Sequence, residues 1–189
     1  IVVTEIVDYL SGTLGSKWPS TGVSLFLVTR ANNTAQNCSI LVAQTDDGAN
    51  RFNMHLPYGG GAGTTYWDYG NIAGAGRLQR SFTGGTDWQT WLFRSQTNFG
   101  QAIYRNGALD AADGTAGFFN PAGKYLDIGS AYNGDIAEII VFTNAMATAD
   151  EAAVGGYLTG KYGIGSWGSF CMTGAVLTVS NNVVLDGTA

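Results

Sequence analysis

The stretch YNGDIAEIIVF, residues 132–142, places two carboxylates, Asp135 and Glu138, in the most apolar part of the chain. In a β-rich protein such a pair could be the acid and base of a sugar-cleaving enzyme. Retaining glycosidases hold their two carboxyl groups about 5–5.5 Å apart on one side of the sugar. Strand residues share a face only at even spacing, and these two are three positions apart. A regular strand points them to opposite faces, and only a β-bulge would bring them together. The chain has just three glutamates, Glu5, Glu138 and Glu151. No catalytic residue is therefore assigned. Glu138 is expected to share its face with Ile136, Ile140 and Phe142, as a partly buried carboxylate satisfied by backbone N–H groups or an arginine.

Other chemistries find little support. His55 is the single histidine. It lacks a G-x-S-x-G partner for a nucleophilic triad and cannot form a histidine cluster for zinc. Beside Arg51 and Asn53 it is expected to be a surface strand residue. Calcium takes several oxygen ligands. The densest candidates are Asp46 and Asp47 in TDDGAN, Asp110 and Asp113 in LDAADG, and Asp135 at a loop rim. Asp-Gly turns account for the first two motifs better than a metal does, because Asp bonds its own backbone there. The glycine-rich PYGGGAGTT and NIAGAGR lack G-K-[ST] and are not phosphate loops.

The segment TTYWDYGN holds what a glycan site is made of. Tyr66 and Trp67 offer aromatic planes for the apolar sugar face, and Asp68 and Asn71 offer partners for hydroxyls. Along a strand, Trp67 and Tyr69 share one face and Tyr66 and Asp68 the other, so at least one set is expected inside. Tyr132 and Asn133, in the turn before Asp135, form a second candidate rim. Cys38 and Cys171 could form one disulfide in an exported protein, or stand as two structural thiols.

These residues need a scaffold, and the sequence supplies β-strands. RFNMHL alternates, with Phe52, Met54 and Leu56 on one face and Arg51, Asn53 and His55 on the other. Further strands are expected at residues 23–30, 39–44, 65–69, 88–94, 101–105, 125–128 and 136–142. Asn106-Gly107 is a strong hairpin signal, because both residues tolerate positive φ. One segment reads as helix. Thr148 with Glu151 forms a capping box, Val154, Tyr157, Leu158 and Tyr162 make one face, and Gly163 closes it. The fold expected is all-β: a two-sheet antiparallel jelly-roll sandwich with one short C-terminal helix packed on it.

Composition narrows the setting. Of 189 residues, 45% are apolar, enough for one sizeable core, but only 12% are charged, about half the usual share. Such a surface, rich in Gly, Ser, Thr and Asn, suits exported β-proteins and fibre-like assemblies. The net charge is −5 with nine Lys and Arg. No basic stripe is available for nucleic acid or an anionic membrane, and no apolar run approaches the ~20 residues of a membrane helix. A chain that starts at Ile1 without a signal peptide reads as a processed chain or a piece of a larger one.

The segment NGDIAEIIVFTNAMATADEAAVGGYLTGKYGI, residues 133–164, resembles the end of a concanavalin A-like lectin/glucanase domain of the laminin G-like kind. AIYRNGAL and LDIGS are similar to two further elements of such domains. The resemblance covers roughly residues 23–164. It leaves 1–22 as an N-terminal extension and 165–189 as a tail or the start of another module. It implies two curved antiparallel sheets. The glucanase relatives carry E-x-D-x-x-E or E-x-D-x-E on one strand, which is absent here, so the resemblance implies a non-catalytic member. The expected role is an exterior surface module, extracellular or on a cell or virion surface. It would bind glycan or a cell-surface or virion protein, or would serve assembly alone as a homo-oligomer or part of a larger structure.

Overall fold

The computed structural model describes residues 2–3, 10–13, 18, 20–43, 48–59, 63–72, 76–97 and 99–167. Among these residues there are twelve strands: β1 (Val2–Val3), β2 (Leu10–Thr13), β3 (Gly22–Ala31), β4 (Ser39–Ala43), β5 (Phe52–Tyr58), β6 (Thr64–Tyr69), β7 (Arg77–Ser81), β8 (Gln89–Gln96), β9 (Gly100–Arg105), β10 (Ala108–Asp113), β11 (Tyr125–Ser130) and β12 (Gly134–Phe142). A helix α1 (Thr148–Tyr162) follows. Two six-stranded sheets form, sheet A in the order β1-β12-β3-β8-β9-β10 and sheet B in the order β2-β11-β4-β5-β6-β7. Every pairing between neighbours is antiparallel. Asn106 and Gly107 both adopt positive φ and join β9 to β10 as a two-residue hairpin, as their chemistry requires.

The core lies between the sheets. Leu25, Leu27, Trp91, Phe93 and Ile103 of sheet A meet Leu41, Phe52, Met54, Trp67 and Tyr69 of sheet B. Phe52 is the hub, with edge-on rings from Trp18 at 5.2 Å and Trp67 at 5.2 Å, and Phe119 at 5.5 Å. Sheet A is covered on its other face as well. There Phe26, Val28 and Leu92 pack with Val154 and Leu158 of α1 and with Trp167. Burial on both faces explains why β3 reads VSLFLV without alternation.

Strand β12 departs from the expected register. Asp135 pairs with Arg30, Ile136 with Thr29, and Glu138 with Val28, so Ala137 is an extra residue in a β-bulge. The bulge resets the alternation. Ile136, Ile139 and Val141 join the inter-sheet core, while Ile140 and Phe142 join the helix side. Glu138 therefore does not share a face with Ile136. It lies with Asp135 on the helix side, and each carboxylate is held by a cation. Arg30 Nε donates to Asp135 at 2.5 Å. Lys161 Nζ and the Tyr157 hydroxyl donate to Glu138 at 3.2 and 3.1 Å.

The helix start also differs from the capping-box expectation. Ala147 is the N-cap and no side chain caps it. Glu151 instead accepts two bonds from Arg94 Nη1, at 3.0 and 3.1 Å, and is 3% exposed. A charged partner in the sheet outcompetes the helix's own N–H groups. The buried face is Glu151, Val154, Gly155 and Leu158, and Gly163 closes the helix in the left-handed conformation, while Tyr157 is 45% exposed.

Trp167 explains one helix glycine. A Cβ on Gly155 would sit 2.2 Å from Trp167 Cγ, whereas a Cβ on Gly160 would meet nothing within 4 Å. Gly155→Ala is expected to destabilise the domain by about 1–3 kcal/mol through overpacking. Gly160→Ala is expected to stabilise it by about 0.5–1 kcal/mol, from helix propensity and lower unfolded-state entropy. Urea unfolding of the two variants measures both signs.

Candidate functional site

Strands β5, β6 and β7 place a polar set on the face of sheet B that points away from the core. Because strand side chains alternate, Phe52, Met54, Trp67 and Tyr69 turn inward. Asn53, His55, Tyr66, Asp68, Arg77 and Gln79 turn outward, in two cross-strand rows. Asn53 faces Asp68, which faces Arg77, and His55 faces Tyr66, which faces Gln79.

Asp68 organises the first row. It is fully buried, and its carboxylate accepts Arg51 Nε at 2.7 Å, Arg77 Nε at 2.6 Å and Arg77 Nη2 at 2.7 Å. The bidentate Arg77 contact fixes the guanidinium plane, and Asp68 raises the Arg77 pKa. That plane lies over the Tyr66 ring at 4.6 Å, a cation–π contact. Asn53, 2% exposed, has no hydrogen-bond partner for its Oδ1 among the described residues.

His55 and two tyrosines build the second row. Ring centroids are 4.5 Å apart for His55 and Tyr58, 5.7 Å for His55 and Tyr66, and 6.2 Å for Tyr58 and Tyr66. Tyr58 is 43% exposed and Tyr66 half-buried. His55, expected at the surface, is only 4% exposed. Its Nδ1 meets the Cys38 carbonyl and its Nε2 lies 3.3 Å from Arg51 Nη2. A carbonyl only accepts and a guanidinium only donates, so the ring is neutral with its proton on Nδ1. Burial lowers the His55 pKa most, and Arg51 and Arg77 lower it further against the opposing Cys38 carbonyl and Asp68.

The candidate residues read from the sequence do not all gather here. Tyr66 and Asp68 do. Trp67 lies wholly in the core, its Nε1–H donating to Ser95 Oγ at 2.7 Å. Asn71 is half-buried just beyond β6. Tyr132 and Asn133 lie in the turn between β11 and β12, against the loop that follows β3. Tyr132 is 1% exposed, with its hydroxyl 2.6 Å from Thr29 Oγ1, and Asn133 N–H donates to Gln36 Oε1 at 2.8 Å.

The carboxylates proposed for calcium are dispersed. Asp113 accepts both the backbone N–H and the hydroxyl of Thr115 at 2.9 Å, which is turn chemistry. Asp110 is the extra residue of a bulge in β10, and Asp135 is paired with Arg30. Asp46 and Asp47 lie outside the described residues. Among the described residues, no group of three or more His, Cys, Asp or Glu could hold a metal ion. Cys38 is a buried thiol, free among the described residues. Its Sγ–H donates to the Pro57 carbonyl at 3.1 Å, and burial pushes its pKa up to about 12. Cys171 lies outside the described residues.

Arg77 and Tyr58 were missed in the sequence. RLQRS at Arg77–Ser81 alternates but carries one large apolar residue, so it lacks the hydrophobic signal of a strand. Tyr58 falls at the end of β5, past a register shift between His55 and Tyr58.

No protein-family model matches this chain, and no curated protein matches it. Solved structures do. A carbohydrate-binding module (CBM40) from a Ruminococcus gnavus sialidase, bound to α2,3-sialyllactose, superposes with a TM-score of 0.56 at 16% identity, over 73% of this chain and 84% of that one. Domain 4 of a Geobacillus stearothermophilus extracellular arabinanase, in complex with arabinotriose, gives a TM-score of 0.54 at 14% identity, over 68% and 64%. The binding domain of botulinum neurotoxin serotype G gives 0.55 at 11% identity, over 84% of this chain but 42% of that one. These neighbours are β-sandwich binding domains, and at such identities the likeness establishes the fold alone.

The buried neutral histidine carries a pH consequence. Its pKa is lowered from 6.5 on folding, so the unfolded chain binds the proton more readily. Stability contributed by neutral His55 is present above about pH 6.5 and is lost as pH falls below it toward the folded value. His55 is the only histidine. Urea unfolding between pH 7.5 and pH 5, intervals of about 0.5 covering the histidine range, should show this loss in the native chain and a shallower one in His55→Gln. Equal slopes would contradict the assignment.

Proposed function

We propose that this chain is a non-catalytic, lectin-like module of the concanavalin A-like, laminin G-like kind, which binds glycan through the outer face of sheet B. The observation that carries the reading is the Tyr58–His55–Tyr66 aromatic cluster beside Arg77 and Asp68. Sugars present an apolar C–H face and a ring of hydroxyls. Tyr58 and Tyr66 offer flat apolar surface with hydroxyl tips, and a guanidinium held by Asp68 offers fixed donors. Preorganisation of this kind lowers the entropy lost on binding.

The carboxylates fit binding better than catalysis. A general acid or nucleophile needs a carboxyl oxygen free to meet substrate. Both oxygens of Asp68 are occupied by guanidinium donors, and Asp135 and Glu138 are each closed in an ion pair. The sialyllactose and arabinotriose complexes of similar sandwiches add support by analogy of fold. The low charge and polar surface suit an exterior location, on a cell surface or as a virion decoration or fibre component, within a homo-oligomer or a larger assembly.

A glycan array tests the reading. The native chain should bind a defined subset of glycans. Tyr58→Ala and Tyr66→Ala should each weaken binding about tenfold, equivalent to ~1.4 kcal/mol, while retaining the native melting temperature within a few degrees. An array with no binding, together with a stable oligomer by light scattering, would leave the assembly role in its place.

A further inference from the structure

Strand β12 lies near one edge of sheet A, with β3 on one side and β1 on the other. β3 pairs with it from Gly134 to Phe142, whereas β1 pairs only with Gly134 and Asp135. β1 runs antiparallel, Val2 opposite Asp135 and Val3 opposite Gly134, so the chain after Val3 travels away from Glu138. Beyond Phe142 the chain turns back over β3, where Met146 N–H donates to Ser24 Oγ at 2.9 Å. Among the described residues, the outer edge of Glu138–Phe142 therefore has no strand beside it.

The side chains show the same gap. Leu25, Phe26 and Leu27 of β3 are fully buried. Their partners Val141, Ile140 and Ile139 are only half-buried, although Ile139 and Val141 pack on the inter-sheet core and Ile140 on the helix-side core. A strand packed on both faces keeps such exposure along an uncovered edge. Natural proteins blunt exposed edges with charge, proline or a bulge. The outer strands β7 and β10 follow that rule. β7 carries Arg77 and Arg80, and β10 carries Asp110, Asp113 and a bulge. Within Glu138–Phe142 the single charged residue is Glu138, and Lys161 of its own chain closes it. The bulge at Ala137 lies before the stretch.

An open strand edge presents N–H and C=O groups that an extended chain satisfies. Register and charge select whose chain. Residues opposite one another on neighbouring strands point to the same sheet face. A two-fold axis normal to the sheet at Ile140 sets Ile140 against the partner's Ile140, Ile139 against the partner's Val141 and Glu138 against the partner's Phe142. Every pair then matches in face: Ile139 with Val141 on the core side, and Ile140, Phe142 and Glu138 on the helix side. No other position of the axis pairs the whole stretch with itself. The chain carries −5, yet this axis brings no two carboxylates together, and each Glu138 keeps its own Lys161 at 3.2 Å. Tyr157, 45% exposed and bonded to Glu138, adds an aromatic ring beside the partner's Phe142.

We propose that the free edge of β12 is the contact between two copies of this chain, an antiparallel strand pair centred on Ile140. Such an isologous pairing closes after two copies. The proposal rests on the homo-oligomer in the reading above and not on glycan binding. Analytical ultracentrifugation of the native chain from micromolar to near-millimolar concentration, paired with amide hydrogen exchange, tests it. A monomer–dimer equilibrium is expected, in which exchange at Glu138–Phe142 slows as dimer forms while β7 and β10 stay unchanged. Ile140→Lys sets two ammonium groups against each other at the axis. It should raise the dimer dissociation constant at least about tenfold, with a melting curve to show that it folds; should it not fold, exchange in the native chain decides. A native chain that stays monomeric throughout would overturn the contact and the homo-oligomer together. A dimer whose formation leaves exchange at Glu138–Phe142 unchanged would overturn the contact alone, as would a folded Ile140→Lys variant that dimerises as tightly as the native chain.

Discussion

The structure rests on the period-two alternation of β5 and β6. On one face these strands supply Phe52, Met54, Trp67 and Tyr69, the aromatic centre of the core. On the other they supply Asn53, His55, Tyr66 and Asp68. The two chemistries share one register, and a slip by one residue would exchange them. It would bury Asp68 among rings and expose Trp67. The same constraint that stabilises the sandwich therefore places the candidate binding groups, and the aromatic packing around Phe52 locks the register from within.

Asp68 then converts a polar strand face into a defined surface. A buried carboxylate is tolerated only when its charge is met and its lone pairs filled. Arg51 and Arg77 do both. Neutral His55 relays the arrangement to the tyrosines, since its two nitrogens are committed to the Cys38 carbonyl and Arg51. The bulge at Ala137 does related work in sheet A. It turns Asp135 and Glu138 toward one face, and the cations Arg30 and Lys161 then close both. Asp68, Asp135 and Glu138 are thus each closed by a cation.

Local rules in the sequence identified the two-sheet class, the alternation of β5, the Asn106-Gly107 hairpin and the Gly163 helix end. Each is set by residues adjacent along the chain. What escaped was set by partners distant in sequence. Ala137 reads as an ordinary strand residue until β3 defines the register. Glu151 reads as a cap until Arg94, 57 positions away, claims it. His55 reads as exposed because alternation assigns it to the polar face, and nothing local says that Arg51, Tyr58 and Tyr66 will cover it. Of the candidate site, Tyr66 and Asp68 were visible in one aromatic strand. Arg77 and Tyr58 came from a weakly apolar edge strand and from beyond a register shift.

The central claim is that glycan meets the outer face of sheet B. Its most direct test is a two-dimensional 15N NMR titration of the native chain with a glycan selected by its binding. Backbone shifts are predicted to concentrate at Tyr58, Tyr66, Arg77 and Gln79, with the turn at Tyr132–Asn133 unmoved. Shifts confined to that turn, with the outer face of sheet B silent, would contradict the account.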